Sequence, residues 1–359
     1  MSQRVVNVGL LGSGFVADFY LQGLRDVSMA RAVANYSRDV NRAAEFGATH
    51  GIARQYTSVG DLCADDEVDM VVVALPNHLH LDAVRIAAAA GKAIVCTKPL
   101  ARNAEEAAEM VRIVREAGVL NGYAETEVFS PSVMKARAMI EAGAIGEVIN
   151  VRAREAHSGP HAPHFWDAEV AGGGALLDLG CHTIEVARYF FGKDVPMTEV
   201  FAWGATVTHG DKTTGEDNAI ALVKFGERGM SVTEASWSMK GGMELRNEVT
   251  GTDGRLVTDT TSTPIYGFIS NPAGYLMEKA DADTGFVFPI PDEARVYGYH
   301  EELRHFAECY LDGTQPRETF VDGYIINCAL DACYRSMKSG QWEKIELDAS
   351  VVGDTAIAR

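Results

Sequence analysis

Hydrophobic residues in the first third of the chain fall into two alternating patterns. Short apolar runs of strand type occur at residues 5–11, 31–36, 68–76 and 93–96. The third run is apolar almost throughout, as in a strand buried on both faces of a parallel sheet. Between the runs, apolar residues recur at helical spacing, most clearly over 104–117. With a last strand over 119–124, this alternation predicts a doubly wound α/β domain at residues 1–124.

The pattern changes after residue 124, and we place a second domain at residues 125–359. Short strands separated by glycine-containing turns predict a large, mostly antiparallel sheet built from hairpins. The predicted elements are helices over 133–142, 300–311 and 322–339, and strands over 147–154, 219–225, 230–236 and 245–250. The residues after Leu347 are small and polar, and we expect them to fray.

Composition and charge narrow the class of protein. A chain of 359 residues with 47% apolar and 23% charged residues is typical of a soluble protein of two domains. Its net charge of −18 disfavours nucleic acid and anionic membranes as partners. No apolar run approaches the length of a membrane span, and no signal peptide is visible, so we expect a cytoplasmic protein. The scattered positions of the six cysteines favour reduced thiols.

A glycine turn follows the first apolar run and precedes a helical pattern. Gly12 can adopt a backbone conformation that a side chain hinders, and Gly14 leaves room for a phosphate to approach the main chain. Ala17 stands where the third glycine of the dinucleotide fingerprint usually stands. The free N–H groups of the following helix would face that anion. The turn therefore predicts dinucleotide binding; the alternative is a glycine turn that binds nothing.

Polar residues follow the other predicted strands. Because ligands of doubly wound sheets bind at the carboxyl ends of the strands, we expect Ser37, Asn77 and Lys98 to lie near the cofactor. Ser37 and Arg38 can hold the 2′-phosphate of NADP, or Arg38 can stack on adenine and accept NAD, or it can simply be an exposed arginine. Lys98 is either a proton-transfer group with a lowered pKa or an ordinary surface lysine.

A loop rich in histidine follows the first predicted strand of the second domain. His157, His161 and His164 lie close in sequence, but no cysteine or carboxylate completes a recognisable ligand spacing, so we predict no metal site. Phe165 and Trp166 either lie over a sugar ring or pack the loop on the core.

Three glycines, Gly172 to Gly174, then allow an abrupt turn onto a helix that we expect to run to about Phe191. Asp178 and His182 are four residues apart, so they share one face of that helix. A carboxylate beside an imidazole can orient the ring and stabilise its charged form. The alternative is a structural Asp–His hydrogen bond.

With these motifs in the observed order, the chain resembles the Gfo/Idh/MocA oxidoreductase family, the glucose–fructose oxidoreductase and inositol dehydrogenase group. The resemblance covers nearly the whole chain and includes Glu216-Asp217-Asn218-Ala219 and the late pattern of Ala332, Ser336 and Gly340. It implies an N-terminal Rossmann dinucleotide-binding domain and a C-terminal α/β domain whose large, mostly antiparallel sheet often forms the oligomer interface. It also implies NAD or NADP as cofactor, a carbohydrate-like substrate and a homo-oligomer.

The resemblance assigns roles to individual residues. Lys98 would contact the reacting oxygen, His182 would accept the proton, and Asp178 would orient His182; the Lys98–Pro99 bond is cis in such proteins. The implied cofactor-binding residues are Gly12, Ser13, Gly14, Phe15, Val16, Ser37, Arg38, Leu75, Pro76, Asn77, His80, Thr97 and Lys98. The implied substrate-binding residues are His157, His164, Trp166, Asp178 and His182.

Two positions depart from the family pattern. Thr97 replaces the usual glutamate before the lysine, and Glu185 replaces an aspartate often found three residues after the histidine. The first puts cofactor contacts in doubt, and the second affects substrate contacts.

The sequence thus predicts hydride transfer between a secondary alcohol of a sugar, glycoside or cyclitol and a nicotinamide. Two alternatives stay open. One is a redox-neutral enzyme that retains NAD while it cleaves a glycoside or modifies a sugar, and the other is a non-catalytic dinucleotide-binding regulator.

Overall fold

The computed structural model describes residues 4–263 and 265–353. The chain divides into two compact units. The first comprises the described part of Met1–Thr126 together with Gly298–Asn327 and Asp348–Gly353, and the second comprises Glu127–Tyr297 and Cys328–Leu347. The first segment ends two residues beyond the boundary expected at residue 124. The N-terminal unit also takes in two C-terminal segments that the sequence analysis assigned to the second domain.

The first unit is built on a parallel sheet. Its strands are β1 (Val6–Leu11), β2 (Ala30–Tyr36), β3 (Arg54–Tyr56), β4 (Met70–Val73), β5 (Ala93–Thr97) and β6 (Asn121–Ala124). Its N-terminal helices are α1 (Phe15–Leu24), α2 (Val40–His50), α3 (Val59–Cys63), α4 (His80–Ala89) and α5 (Ala104–Ala117). The strands pair in the order β3-β2-β1-β4-β5-β6, every pair parallel. This is the strand order of a Rossmann fold, and it confirms the predicted fold class.

Helix α5 shows why some boundaries could be predicted to the residue. Asn103 caps its N-terminus by accepting a hydrogen bond from the backbone N–H of Glu106, and Gly118 ends it in a left-handed conformation. Both residue types are strong terminators in sequence, so the predicted range 104–117 is confirmed.

The second unit contains a large sheet covered by helix on one side. Its elements up to the last helices are α6 (Pro131–Glu141), β7 (Val148–Ser158), α7 (Ala168–Ala171), α8 (Cys181–Phe191), β8 (Met197–Ala205), β9 (Asn218–Phe225), β10 (Gly229–Ser236), β11 (Ser238–Gly251), β12 (Arg255–Asp259), β13 (Gly267–Ile269), β14 (Gly285–Val287) and α9 (Glu293–Tyr297). The C-terminal part of the chain adds α10 (Tyr299–Asp312), α11 (Phe320–Ser339), β15 (Glu343–Lys344) and α12 (Ala349–Val352).

The large sheet has the order β12-β11-β7-β10-β9-β8-β15. It is mostly antiparallel, as predicted, but it is not built from hairpins alone, because β10 pairs with β7 in parallel. Such a pairing joins strands that are far apart in sequence, so no local turn motif predicts it. Strands β13 and β14 form a separate two-stranded hairpin.

Helix α8 packs against β7 and β10 on one face of the large sheet. On the other face large apolar side chains are exposed, among them Trp203 at 51%, Val257 at 44% and Ile220 at 42%. Trp203 and Ile220 pair directly between β8 and β9, and exposed apolar neighbours on a sheet face are typical of a surface that another protein covers.

The expectation that the C-terminal tail frays is wrong for residues 348–353. They form α12, in which Val351 and Val352 are buried. Arg115 holds this helix by donating to the carbonyl oxygens of Ser350 and Val351, at 2.8 and 2.5 Å. Small residues in the tail concealed this anchoring, because the arginine that provides it lies on α5. Residues 354–359 lie outside the described part of the chain.

All six cysteines are buried free thiols. Burial raises the pKa of Cys63 to about 11 and that of Cys333 to about 12. It also raises the pKa of Cys96 and Cys309 above the ordinary thiol value. Among the described residues, no helix has both the length and the apolar character that crossing a membrane requires.

Candidate active site

The glycine turn between β1 and α1 has the shape expected of a phosphate site. Gly12 has φ +139°, and a Cβ atom there would lie 2.3 Å from the carbonyl oxygen of Ala74. A side chain at Gly14 would instead meet no atom within 4 Å. Gly14 is the N-cap of α1, and no side chain caps that end of the helix. No capping side chain therefore binds the first N–H groups of α1, and a helix end of this kind suits the pyrophosphate of a dinucleotide.

Arg42, which the sequence analysis did not consider, supports this turn from α2. Its Nε and Nη2 atoms donate to the carbonyl oxygen of Ser13, at 3.3 and 3.2 Å. The next positions, Phe15 and Val16, form the first turn of α1, and Phe15 is 41% exposed. No local motif marks Arg42, because it reaches the turn from a helix that starts after β2.

The three residues after β2 differ in whether they bind the protein's own backbone. Ser37 is buried, and its hydroxyl oxygen accepts a hydrogen bond from the backbone N–H of Asp39 at 3.4 Å. Asp39 caps α2 by accepting from the N–H groups of Asn41 and Arg42. Its carboxylate is therefore committed to the helix end, whereas Arg38 is exposed. This leaves Arg38 as the charged group beside the strand end.

The registers of the parallel pairs bring the predicted cofactor residues of four strands to one edge of the sheet. Leu11 pairs with Tyr36 and with Val73, and Val73 pairs with Cys96. The segments that follow these four positions contain all of the predicted cofactor residues: Gly12 to Val16, Ser37 and Arg38, Leu75 to Asn77 with His80, and Thr97 with Lys98.

Two of these residues bind the protein itself. His80 is fully buried, and its ring nitrogens face the carbonyl oxygens of Leu75 and Leu100, at 2.8 and 3.1 Å. Burial lowers its pKa. The hydroxyl of Thr97, the first departure from the family pattern, donates to the carbonyl oxygen of Val73 at 2.9 Å. His80 and Thr97 thus hold the loops that follow β4 and β5.

Lys98 follows directly on Thr97 and is partly exposed. The bond between Lys98 and Pro99 is cis, as the resemblance implied.

In the second unit the turn at Gly172 to Gly174 is packed against the protein's own backbone. A Cβ atom at Gly174 would lie 2.1 Å from the carbonyl oxygen of Glu216, and one at Gly173 would lie 2.0 Å from the Tyr334 hydroxyl. Glu216 fixes the next residues, because its carboxylate accepts from the N–H of Leu176 at 2.9 Å and from the Tyr334 hydroxyl at 3.0 Å. Burial raises the pKa of Glu216.

The segment that carries Asp178 is not the regular α-helix that we expected. Leu176–Gly180 is π-helical, and α8 begins only at Cys181. The four-residue spacing of Asp178 and His182 therefore spans a change of helix type. Such π-helical turns are frequent at functional sites. The residue that binds the start of this one, Glu216, lies far from it in sequence.

Trp237 holds the Asp178 carboxylate. Asp178 is 2% exposed and accepts a hydrogen bond from the Trp237 indole N–H at 3.0 Å. Trp237 is itself fully buried and packs in a cluster with Ala175 and Leu179. The sequence analysis missed Trp237, since it lies between β10 and β11 and no motif joins it to the glycine turn.

His182 lies in the first turn of α8 and is 8% exposed. Its Nε2 atom is 4.0 Å from a carboxylate oxygen of Glu155 on β7. Ligand atoms of Glu127, Glu155 and His182 lie within 4.8 Å of one another. Glu127 also accepts a hydrogen bond from the Asn247 amide at 2.7 Å. Two buried carboxylates thus accompany the imidazole, and the sequence pointed to neither.

We call residues 157–167 the histidine loop. Its first residue, His157, is buried at the end of β7, with the His161 ring 4.5 Å away. The His164 ring lies 4.4 Å from the Phe165 ring. Trp166 packs against Trp237 with ring centres 5.5 Å apart, as one alternative from the sequence proposed.

Glu185, the second departure from the family pattern, is fully buried on α8. Its carboxylate accepts a hydrogen bond from Arg188 at 2.9 Å. The larger side chain is thus accommodated by an ion pair within the helix.

Comparison with known proteins agrees with this architecture. Residues 6–124 match the model of the oxidoreductase family with an NAD-binding Rossmann fold, and residues 133–257 match the GFO/IDH/MocA C-terminal domain. The chain is 26% identical to levoglucosan dehydrogenase of Pseudarthrobacter phenanthrenivorans, over 94% of this chain and 97% of that protein. It is 29% identical to 1,5-anhydro-D-fructose reductase of Ensifer adhaerens, over 94% of this chain and 98% of the other.

Solved structures give the same result. The crystal structure of GenD2 from gentamicin A biosynthesis in complex with NAD is 26% identical, with a TM-score of 0.89 over 96% of this chain and 97% of that one. Levoglucosan dehydrogenase in complex with NADH and levoglucosan is 25% identical, with a TM-score of 0.80 over 96% and 100% of the two chains. Both domains of the chain, in their expected order, therefore make this protein a member of the Gfo/Idh/MocA family of NAD-binding oxidoreductases.

Proposed function

We propose that this protein is an NAD(P)-dependent dehydrogenase or reductase acting on a secondary hydroxyl or ketone of a sugar, glycoside or cyclitol. The observation that carries this proposal is the buried Asp178 carboxylate, held by the Trp237 indole and followed by His182, on a chain of this family. Relatives that match over nearly their whole length are named as levoglucosan dehydrogenase and 1,5-anhydro-D-fructose reductase.

In the proposed mechanism His182 accepts the proton of the substrate hydroxyl. Asp178 orients the imidazole and stabilises the imidazolium that forms. The indole N–H of Trp237 fixes the carboxylate that does so. Lys98 binds the substrate oxygen and offsets the negative charge that develops there. The nicotinamide supplies the hydride acceptor or donor when it is bound.

The cofactor proposal rests on the glycine turn. The open space at Gly14 and the uncapped end of α1 support pyrophosphate binding there. Both NAD and NADP remain candidates. Because Asp39 is committed to capping α2, Arg38 is the charged residue available to a 2′-substituent, and this favours tolerance of a phosphate.

Substrate contacts are proposed for His157, His164 and Trp166. Trp166 is partly exposed although it packs on Trp237, so one part of its surface remains able to lie against a sugar.

We also propose how the chain associates and in which compartment it works. Copies of the chain would associate through the face of the large sheet that carries Trp203 and Ile220, and light scattering would measure the mass. The substitution Trp203→Glu should lower that mass. The free thiols favour a reducing compartment, the cytoplasm.

The decisive experiment first identifies any nucleotide released on denaturation and then assays turnover. Purified protein is mixed with NAD or NADP and with levoglucosan, myo-inositol, D-xylose and aryl glycosides, and nicotinamide absorbance is followed. Net reduction of added cofactor supports the dehydrogenase. Tightly bound NAD, no net reduction and a cleaved glycoside would establish the redox-neutral alternative, and no conversion of any compound would argue for a regulator.

Variants then test the proposed roles. Lys98→Ala or His182→Ala should abolish turnover and leave NAD binding largely intact, whereas Lys338→Ala, on the exposed end of α11, should change neither. Turnover like that of the wild type in either of the first two variants contradicts the mechanism.

A further inference from the structure

Residues 275–281 form a segment that the sequence analysis left without interpretation. It lies between the hairpin strands β13 and β14 and is tied to α9. Glu293 accepts hydrogen bonds from the Tyr275 hydroxyl at 2.6 Å and from the backbone N–H of Glu278 at 2.5 Å. The N–H of Ile290 donates to the carbonyl oxygen of Leu276 at 3.1 Å. The backbone of this segment is therefore fixed within the second unit.

Lys279 has an unusual backbone conformation in this segment. Its φ is +58°. Among residues 4–263 and 265–353, Lys279 is the one residue other than glycine that has a positive φ. A left-handed conformation is unfavourable for a residue that carries a side chain. Backbone strain of this kind persists where the surrounding contacts demand it, and it is frequent at functional sites.

The hydrogen bonds of the Lys279 side chain account for its left-handed backbone conformation. Its ammonium group donates to three consecutive carbonyl oxygens of the histidine loop, those of Ser158, Gly159 and Pro160, at 3.2, 2.7 and 2.9 Å. An ammonium group has three N–H donors, so all of its hydrogen-bonding capacity is spent on this loop. Burial lowers the pKa of Lys279, and Asp178 lies within electrostatic range of its charge.

The preceding residue binds the same loop. The Glu278 carboxylate pairs with the His161 imidazole, and Glu278 is 7% exposed. From the opposite side the N–H of Gly159 donates to the carbonyl oxygen of Trp237 at 2.8 Å. The start of the histidine loop is thus held between the residue that fixes Asp178 and the segment that carries Lys279.

We propose that Lys279 is a positioning residue that sets the conformation of the histidine loop, and through it the fit of the substrate. The inference rests on the proposed function, because that function makes the loop part of the substrate site. Arginine cannot replace the ammonium equivalently, since its planar guanidinium does not present three donors to three oxygens around one atom.

The test uses the full-length protein with the variants Lys279→Met and Lys279→Arg, and with Lys338→Met as a matched control on an exposed helix end. Hydrogen–deuterium exchange of residues 157–162 is measured by mass spectrometry. Steady-state kinetics use one compound of the panel described above, namely the polyol that the wild-type protein oxidises fastest.

We expect faster exchange of the loop amides in Lys279→Met and a KM for the polyol about tenfold higher, with kcat and the KM for NAD changed less than about threefold. Lys279→Arg should recover part of the effect, and Lys338→Met should match the wild type. A purely structural role would instead lower the melting temperature, kcat and NAD affinity together. That result, or unchanged exchange with unchanged KM, overturns the proposal.

If Lys279→Met does not fold, Lys279→Gln takes its place. It removes the ammonium group that donates to the three carbonyl oxygens but keeps a polar side chain, with the same expected directions, and unchanged exchange and KM again overturn the proposal. Failure of the wild-type protein to convert any compound of the panel would count against the proposed function. The exchange measurement needs no substrate and would still decide whether Lys279 holds the loop.

Discussion

The two glycine turns of this chain are similar in sequence, but Gly14 in the first turn and Gly174 in the second serve different purposes. At the first turn, a side chain on Gly14 would project into open space, and no side chain caps the helix that follows. At the second, a side chain on Gly174 would overlap the backbone of Glu216. One glycine leaves room for a ligand, and the other leaves room for the protein itself. A run of glycines before a helix therefore does not reveal whether the missing side chain serves binding or packing.

The largest expected effect comes from Gly174→Ala. The added methyl group would lie 2.1 Å from a backbone oxygen that cannot move without displacing Glu216. We expect a loss of about 3 kcal/mol in the free energy of unfolding, and with it loss of turnover, because the π-helical segment with Asp178 starts two residues later, at Leu176. Thermal and urea unfolding measure the loss. A variant as stable as the wild type would show that the turn has room that the structure does not indicate.

Gly14→Ala is the matched change at the first turn. We expect the melting temperature to stay within about 1 °C of the wild type, because the methyl group meets no atom within 4 Å. Affinity for NAD should fall about tenfold or more, because the methyl group occupies the space in which a phosphate would approach the main chain. Calorimetric titration with NAD measures this. Unchanged affinity together with unchanged stability would make the first turn a turn that binds nothing.

Trp237→Phe tests whether Trp237, which packs against Ala175 and Leu179 directly after the second turn, orients Asp178. The substitution keeps an aromatic ring in the cluster but removes the N–H that donates to the carboxylate. We expect kcat to fall about tenfold while NAD affinity stays the same, because only the orientation of Asp178 is lost. Trp342→Phe, on a 40% exposed tryptophan, is the control for loss of an indole. Equal kinetics in the two variants would remove Trp237 from the proposed mechanism.

Arg42→Ala should have the smallest effect. It removes the guanidinium that donates to the Ser13 carbonyl oxygen, an exposed contact at 3.2 Å. We expect NAD affinity to fall about threefold, since one exposed hydrogen bond contributes little and the backbone of the turn remains. The same titration measures it. A loss as large as that in Gly14→Ala would mean that Arg42 itself contacts the nucleotide.

Local sequence signals were sufficient for most of the fold. The parallel sheet could be predicted because strands and helices alternate, and α5 could be bounded because Asn103 and Gly118 are strong caps. The parallel pairing of β10 with β7 and the anchoring of residues 348–353 could not, because both depend on contacts between distant parts of the chain.

The same division applies to the candidate site. Lys98, Asp178 and His182 lie in motifs and could be named from sequence. Trp237 and Lys279 each make their contacts through one polar group that tertiary packing places, and a residue of that kind leaves no spacing to recognise. The π-helical form of residues 176–180 has no local signal either, and the Glu216 carboxylate that binds its first N–H lies 40 positions away in sequence.

The burial of the thiols has a practical consequence for spectroscopy. A buried thiol with a raised pKa is almost entirely protonated near neutral pH, and it is the thiolate that reacts with maleimides. Cys63, Cys96, Cys309 and Cys333 are of this kind, and the other two thiols are shielded from solvent as well. A cysteine introduced on the surface of the native protein would therefore take a fluorophore or spin label selectively, without prior removal of the natural cysteines.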